Sequence, residues 1–121
     1  MAAPDGFAQF LCDQLAALGH VTVRRMFGGA GVYCDGLMFG LVAGEVLYFR
    51  VDAGNGAAFA AEGLEPFTYQ ARGRDVVLPY RRVPERLFDD PDEMTAWARE
   101  ALAAARRAAA RRRPRHGRSR P

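Results

Sequence analysis

A chain of 121 residues, 50% hydrophobic and 11% aromatic, can bury the core of one ordinary domain and is too apolar to be wholly disordered. Two cysteines without metal-ligand spacing exclude a disulfide framework or a zinc site, and no apolar run approaches the ~20 residues that span a bilayer. The formal net charge of +3 hides a division: all 17 basic residues are arginine, and they are unevenly placed. Residues 1–105 hold nine arginines against 14 acids, a net of −5, whereas residues 106–121 carry +8. An acidic body repels phosphate backbones while an arginine-rich end attracts them. The start, Met1 to Gly6, lacks the basic-then-apolar order of a signal peptide, so a cytoplasmic protein with reduced cysteines is expected.

The first element reads as a helix. Phe7, Phe10, Leu11, Leu15 and Leu18 recur at three- and four-residue spacing, with Asp5 as its cap and Gly19 as its stop. From Val21 to Val51 the pattern changes to three antiparallel strands in a meander, with Gly28-Gly29-Ala30-Gly31 as a break. Asp35-Gly36 is the strongest hairpin signal, and Ala43-Gly44 turns again. In the last of these runs Leu47, Phe49 and Val51 share one face, and Val46, Tyr48 and Arg50 the other. A short helix over 52–63 is capped by Asp52 or Asn55, anchored by Phe59 and ended by Gly63.

Two more strands, Pro66 to Gln70 and Asp75 to Tyr80, are joined by Ala71-Arg72-Gly73-Arg74. Pro79 marks the second as an edge strand. Asp90-Pro91-Asp92-Glu93 then opens a helix over 91–112, with Met94, Trp97, Ala98, Ala101, Leu102 and Ala105 as one apolar stripe. Its last two turns are expected to leave the core and carry arginines into solvent, and Pro114 ends it. The order α-β-β-β-α-β-β-α gives an α+β fold: an antiparallel sheet of about five strands with helices packed on it. Residues 1–105 form the domain, and 106–121 an arginine-rich helix end and tail.

Candidate chemistry is sparse. Gly28-Gly29-Ala30-Gly31 lacks the Lys-Ser/Thr of a phosphate loop and the spacing of a dinucleotide fingerprint, so it reads as a tight backbone crossing. Of Arg24 and Arg25, one is expected in solvent and one paired with a carboxylate. His20 and His116 stand apart from acids and cysteines, lysine is absent and the lone serine is Ser119, so common nucleophile chemistries are poorly supplied. No catalytic residue, metal ligand or cofactor is assigned, and the protein is expected not to be an enzyme. The aromatic set Phe27, Tyr33, Tyr48, Phe49, Phe67 and Tyr69 is expected in the core or under helices rather than stacked on bases. The arginines at 106, 107, 111, 112, 113, 115, 118 and 120 are the candidate nucleic-acid contacts: Arg106, Arg107, Arg111, Arg112, Arg113, Arg115, Arg118 and Arg120.

One string carries a resemblance. Arg24-Arg25-Met26-Phe27-Gly28-Gly29-Ala30-Gly31-Val32-Tyr33, then Asp35-Gly36 and Leu47-Tyr48-Phe49-Arg50-Val51-Asp52, is followed by Gly63, Pro66-Phe67, Tyr69, Leu78-Pro79-Tyr80, Val83-Pro84, Trp97-Ala98 and Ala101-Leu102. Over about residues 7–105 this resembles the TfoX (Sxy) N-terminal domain family of bacterial competence regulators. The resemblance implies the same α+β fold and a regulatory, non-catalytic role in co-activating transcription with the cyclic-AMP receptor protein. It marks Arg24, Arg25, Met26, Phe27, Gly28, Gly29, Gly31 and Tyr33 as the family motif and a candidate interaction surface.

Full-length regulators of that kind carry a second, helix-hairpin-helix domain, in whose place this chain has its arginine tail. The expected role is a regulatory adaptor. Its body contacts a protein partner, a transcription factor or RNA polymerase, and its arginines add weak, sequence-independent DNA affinity. The alternative is a protein- or ligand-binding module with an inert tail, marked by a cavity under Gly28–Gly31. A homodimer through the sheet edge near Pro79 is left open.

Overall fold

Three two-residue turns with positive φ at both central positions fold much of the chain back on itself. They lie at Asp35-Gly36 (φ 55 and 76), Gly44-Glu45 (58 and 67) and Arg72-Gly73 (54 and 76). This backbone matches the right-handed twist of the strands it joins. The computed structural model describes residues 5–26 and 28–112. In chain order they form α1 (Asp5–Gln14), β1 (Val21–Met26), β2 (Gly29–Cys34), β3 (Leu37–Ala43) and β4 (Val46–Arg50). These are followed by α2 (Gly56–Ala61), β5 (Pro66–Ala71), β6 (Arg74–Arg82), a 3-10 turn at Glu85–Asp89, and α3 (Pro91–Arg112). Asp5 is the first residue of α1, and its expected capping side chain lies outside the described residues.

The fold is α+β, with one antiparallel sheet in the order β1-β2-β3-β4-β6-β5. Six strands are present where five were expected, because Gly28–Gly31 does not break the sheet. Met26 pairs with Gly29 and Arg24 with Gly31, so the glycines lie within a ladder. Backbone hydrogen bonds need no side chain, and at Gly29 one would not fit. A Cβ there would stand 2.3 Å from the Val42 carbonyl oxygen.

Pro79 also sits elsewhere than expected. β6 is an interior strand, and β1 and β5 are the edges. The β5–β6 register shifts between Pro66 and Thr68, and β4 pairs only with residues 80–82, so Pro79 occupies an irregular stretch. Its missing N–H costs no ladder bond there. Its carbonyl still accepts from the Val51 amide at 2.9 Å.

All the helices cover one face. Leu11 of α1, Leu15 just after it, Phe59 of α2, Leu87, and Met94, Ala98, Ala101 and Leu102 of α3 bury against Val32, Phe39, Val42, Leu47 and Phe49. Phe39 and Phe49 meet with ring centroids 5.8 Å apart. The Asp90 carboxylate caps α3 by accepting from the Glu93 amide at 3.1 Å. Contrary to expectation, α3 stays on the body past residue 105, and Ala108 is buried.

Phe49→Ala, at a fully buried site beneath α3, is expected to cost about 3–5 kcal/mol in urea unfolding. Val77→Ala, 61% exposed, should stay within about 0.5 kcal/mol.

Candidate functional site

The face opposite the helices carries an open depression. Alternation along each strand decides what reaches it. Opposite Phe39 and Val42, β3 turns Met38 and Leu41 outward, and β6 turns out Leu78 and Tyr80. Met26, Gly28 and Gly29 from the first hairpin, Ala43, and Phe67 and Tyr69 from β5 complete a groove of about 510 Å³. Gly31 makes room for the convergence. A Cβ there would meet the Tyr33 ring at 2.9 Å and the Met38 sulfur at 3.1 Å.

Aromatic rings and arginines surround the groove. Tyr48 packs edge-on against Phe67 with centroids 5.1 Å apart, and Phe67 stacks on Tyr69 at 6.2 Å. The Arg24 guanidinium lies 5.1 Å from the centre of the Tyr33 ring, and that of Arg50 lies 5.7 Å from that of Tyr80. Among the described residues, Arg50 Nε is buried and has no hydrogen-bond partner. Burial pushes the Tyr80 phenol up, while its hydrogen bond with Arg50 and that residue's charge pull it the other way.

Of the motif residues, Met26, Gly28 and Gly29 line the groove, while Arg24, Gly31 and Tyr33 adjoin it. Arg25 is exposed, and Phe27 lies outside the described residues. Neither Arg24 nor Arg25 pairs with a carboxylate among the described residues, against the expectation for one of them. The aromatic set also divides differently from expectation. Phe49 is core, but Tyr33, Tyr48, Phe67 and Tyr69 stand on the face that no described helix covers.

Met38 and Leu41 are not singled out by the sequence, and Leu78, Tyr80 and Arg50 enter only through the resemblance and the alternation of β4, not as site residues. For the apolar ones the signal is apolar residues at both parities of the same strands. Among the described residues no three His, Cys, Asp or Glu side chains converge. Burial raises the Cys12 and Cys34 thiols, which keeps both protonated at neutral pH. The groove's walls are largely apolar.

The second candidate region is the end of α3. Arg106 reaches Asp35 at 3.2 Å, and Arg107 makes a bidentate pair with Asp52 at 2.7 and 2.8 Å. Asp52 also accepts from the Gly54 amide at 2.8 Å. Asn55 locks the same loop, accepting from the Asp52 amide and donating to the Arg50 carbonyl. Asn55 stands at the cap position of α2 and uses its side chain for the loop instead. Arg111 and Arg112 are exposed in the last turn of α3, and Arg113, Arg115, Arg118 and Arg120 lie outside the described residues.

The TfoX N-terminal domain family model matches residues 13–105, from within α1 to the residue before Arg106. The chain belongs to that family. It is 29% identical over 93 residues to Protein Sxy of Escherichia coli (strain K12), which covers 77% of this chain and 44% of the relative. It is 31% identical over 85 residues to DNA transformation protein TfoX1 of Aliivibrio fischeri (strain ATCC 700601 / ES114), covering 70% and 41%. The chain therefore spans less than half the length of either relative. No described helix is long and apolar enough to cross a membrane.

Arg107 holds Asp52 at about 2, below its ordinary 3.8, chiefly by hydrogen bonding. A depressed carboxylate stabilises the fold above its unfolded value and loses that contribution as pH falls through its folded value. In a carbon-detected NMR titration Asp52 should therefore titrate near 2, and in Arg107→Ala it should move toward 3.8. The stability deficit of that variant should be present at neutral pH and vanish once both proteins carry a protonated Asp52.

Proposed function

We propose that this protein is a non-enzymatic regulator of the competence type. It works in the cytoplasm as an adaptor to a protein partner, a transcription factor or RNA polymerase, and touches DNA weakly through its arginine-rich end. The observation that carries this reading is the family match across the body, together with the likeness to a protein named for DNA transformation. Charge supports a division of labour along α3. The helix opens on Asp92 and Glu93 and closes on Arg111 and Arg112, about 29 Å apart at 1.5 Å per residue. Exposed Glu85, Asp89 and Asp90 extend the acidic end. A basic partner surface and a phosphate backbone can be engaged at opposite ends of one rigid element.

Arg106 and Arg107 are engaged by Asp35 and Asp52, so phosphate must compete for them. Arg112, exposed in the last turn of α3, and the arginines that follow it in the sequence carry the proposed DNA contact. A second reading, a ligand-binding module without a transcriptional role, draws on the groove beside Gly28 and Gly29.

Fluorescence anisotropy with a random-sequence duplex at two salt concentrations tests the leading reading. The whole chain is compared with one ending at Ala110, which keeps buried Ala108 and both ion pairs. Each phosphate contact adds about 0.9 to the slope of log affinity against log salt, so the whole chain should bind steeply in salt and the shortened chain should not. Equal binding by both overturns the role of the arginines.

A further inference from the structure

We propose that the groove on the open face of the sheet binds a small amphipathic anion, with an apolar or aromatic body and one carboxylate or sulfonate head. Its volume of about 510 Å³ lies within the ~300–1,000 Å³ of small-molecule sites, which are mostly apolar walls with a few fixed polar groups. Met26, Met38, Leu41, Phe67 and Leu78 supply thioether, aliphatic and aromatic walls. Methionines adapt to an irregular guest and sit well against an aromatic one.

The head group is assigned by what the face leaves unsatisfied. Arg50 stands opposite Tyr80 in the ladder, its guanidinium against that ring at the groove wall. Among the described residues its Nε is buried without a hydrogen-bond partner, and none of the ion pairs includes it. A guanidinium in no ion pair can take a carboxylate or sulfonate oxygen on its terminal N–H groups. Tyr80 sets a hydroxyl beside it.

Charge elsewhere on the face selects the same class of guest. Strand parity places Arg24, Arg50, Arg74 and Arg82 on this side with no Asp or Glu among the groove residues. Arg82 alone of the four leans toward acids off the face, Glu65 and Glu85. A cationic guest would meet only like charge, which excludes the chain's own arginine-rich end as occupant. A second copy facing the first would set arginines against arginines.

The inference stands apart from the DNA-contact reading, since the two use opposite regions of the molecule. Its test uses anilinonaphthalene sulfonate, and phenylnaphthylamine as the same aromatic body without a head. The sulfonate should bind the native protein at one site and be displaced by decanoate. Arg50→Met should weaken it about tenfold or more, the loss of a hydrogen bond to a charged group, and leave phenylnaphthylamine unchanged. Ala43→Phe, which fills the groove from β3, should weaken both dyes.

In the unsubstituted protein, NMR should show saturable shifts of the Met26 and Met38 methyls and none at Met94, buried under α3. Undiminished sulfonate binding by folded Arg50→Met overturns the proposal, as do shifts centred on Met94. Displacement of the dye by a short oligothymidylate at lower concentration than decanoate also overturns it, in favour of stacked bases.

Discussion

Helix α3 lies directly on β3 and β4 because the side it turns to them is largely alanine. Ala98, Ala101, Ala104, Ala105 and Ala108 are all buried. With so little side chain on the helix, the space between the layers is filled from the strands by Phe39 and Phe49, and from the helix flank by Met94. Close approach also brings the end of the helix within reach of the sheet's loops. Arg106 meets Asp35 in the β2–β3 turn, and Arg107 meets Asp52 after β4. Gly54 belongs to the same fit, since a Cβ there would stand 2.6 Å from the Arg107 guanidinium. The helix is thus clamped at its far end by ion pairs that its small residues make geometrically available. With those two arginines counted in the body that holds them, residues 1–110 carry −3 and 111–121 carry +6.

A sheet covered on one side ordinarily presents a polar second face to water. This one presents an apolar centre rimmed by arginine. The Phe39-Gly40 irregularity helps to produce it. The β2–β3 register slips there, so Phe39 and Val42 both enter the core while Met38 and Leu41 both face out. A strand with large apolar groups on both faces has to be covered twice, and the described helices cover it once. Gly31 works on the outer side of the same strand pair, vacating the volume in which Met26, Tyr33 and Met38 converge. The glycine string serves side-chain packing around a groove rather than a phosphate cradle.

Local chemistry was legible and long-range partnership was not. The start of α3 at Asp90-Pro91, the Asp35-Gly36 hairpin, the Phe59 anchor and the inward set Leu47 and Phe49 follow from capping, turn and alternation rules that act within a few residues. The first hairpin was lost because a glycine-rich string has poor strand propensity, while the ladder to β1 and β3 rewards it only after distant segments meet. Pro79 misled for the same reason: an irregular register inside a sheet spares an amide as well as an edge does. Alternation divides Tyr48 from Phe49 but is silent on which face the helices will choose, so the outward aromatics were placed in the core. Arg106 and Arg107 find acids 71 and 55 residues away, separations across which no local pattern speaks.

The two candidate regions differ in what they share with the relatives. Met26, Gly28, Gly29, Leu78 and Tyr80 fall inside the matched residues 13–105, and so does Arg50. Arg106 and everything after it fall outside, although α3 runs through that boundary without a break. The groove residues thus lie within the family-matched part of the chain, and the groove's walls are set by strand parity and by glycines that cannot be enlarged without moving Tyr33 or the Val42 carbonyl. The described part of the arginine end, residues 106–112, continues α3, and the ion pairs of Arg106 and Arg107 and the buried Ala108 help tie it to that fold. Because α3 packs on the covered face and the groove opens on the other, a guest in the groove and a phosphate backbone at Arg112 would not compete for space. Any coupling between them must pass through β3 and β4, the strands that carry Leu41 and Ala43 on one side and α3 on the other.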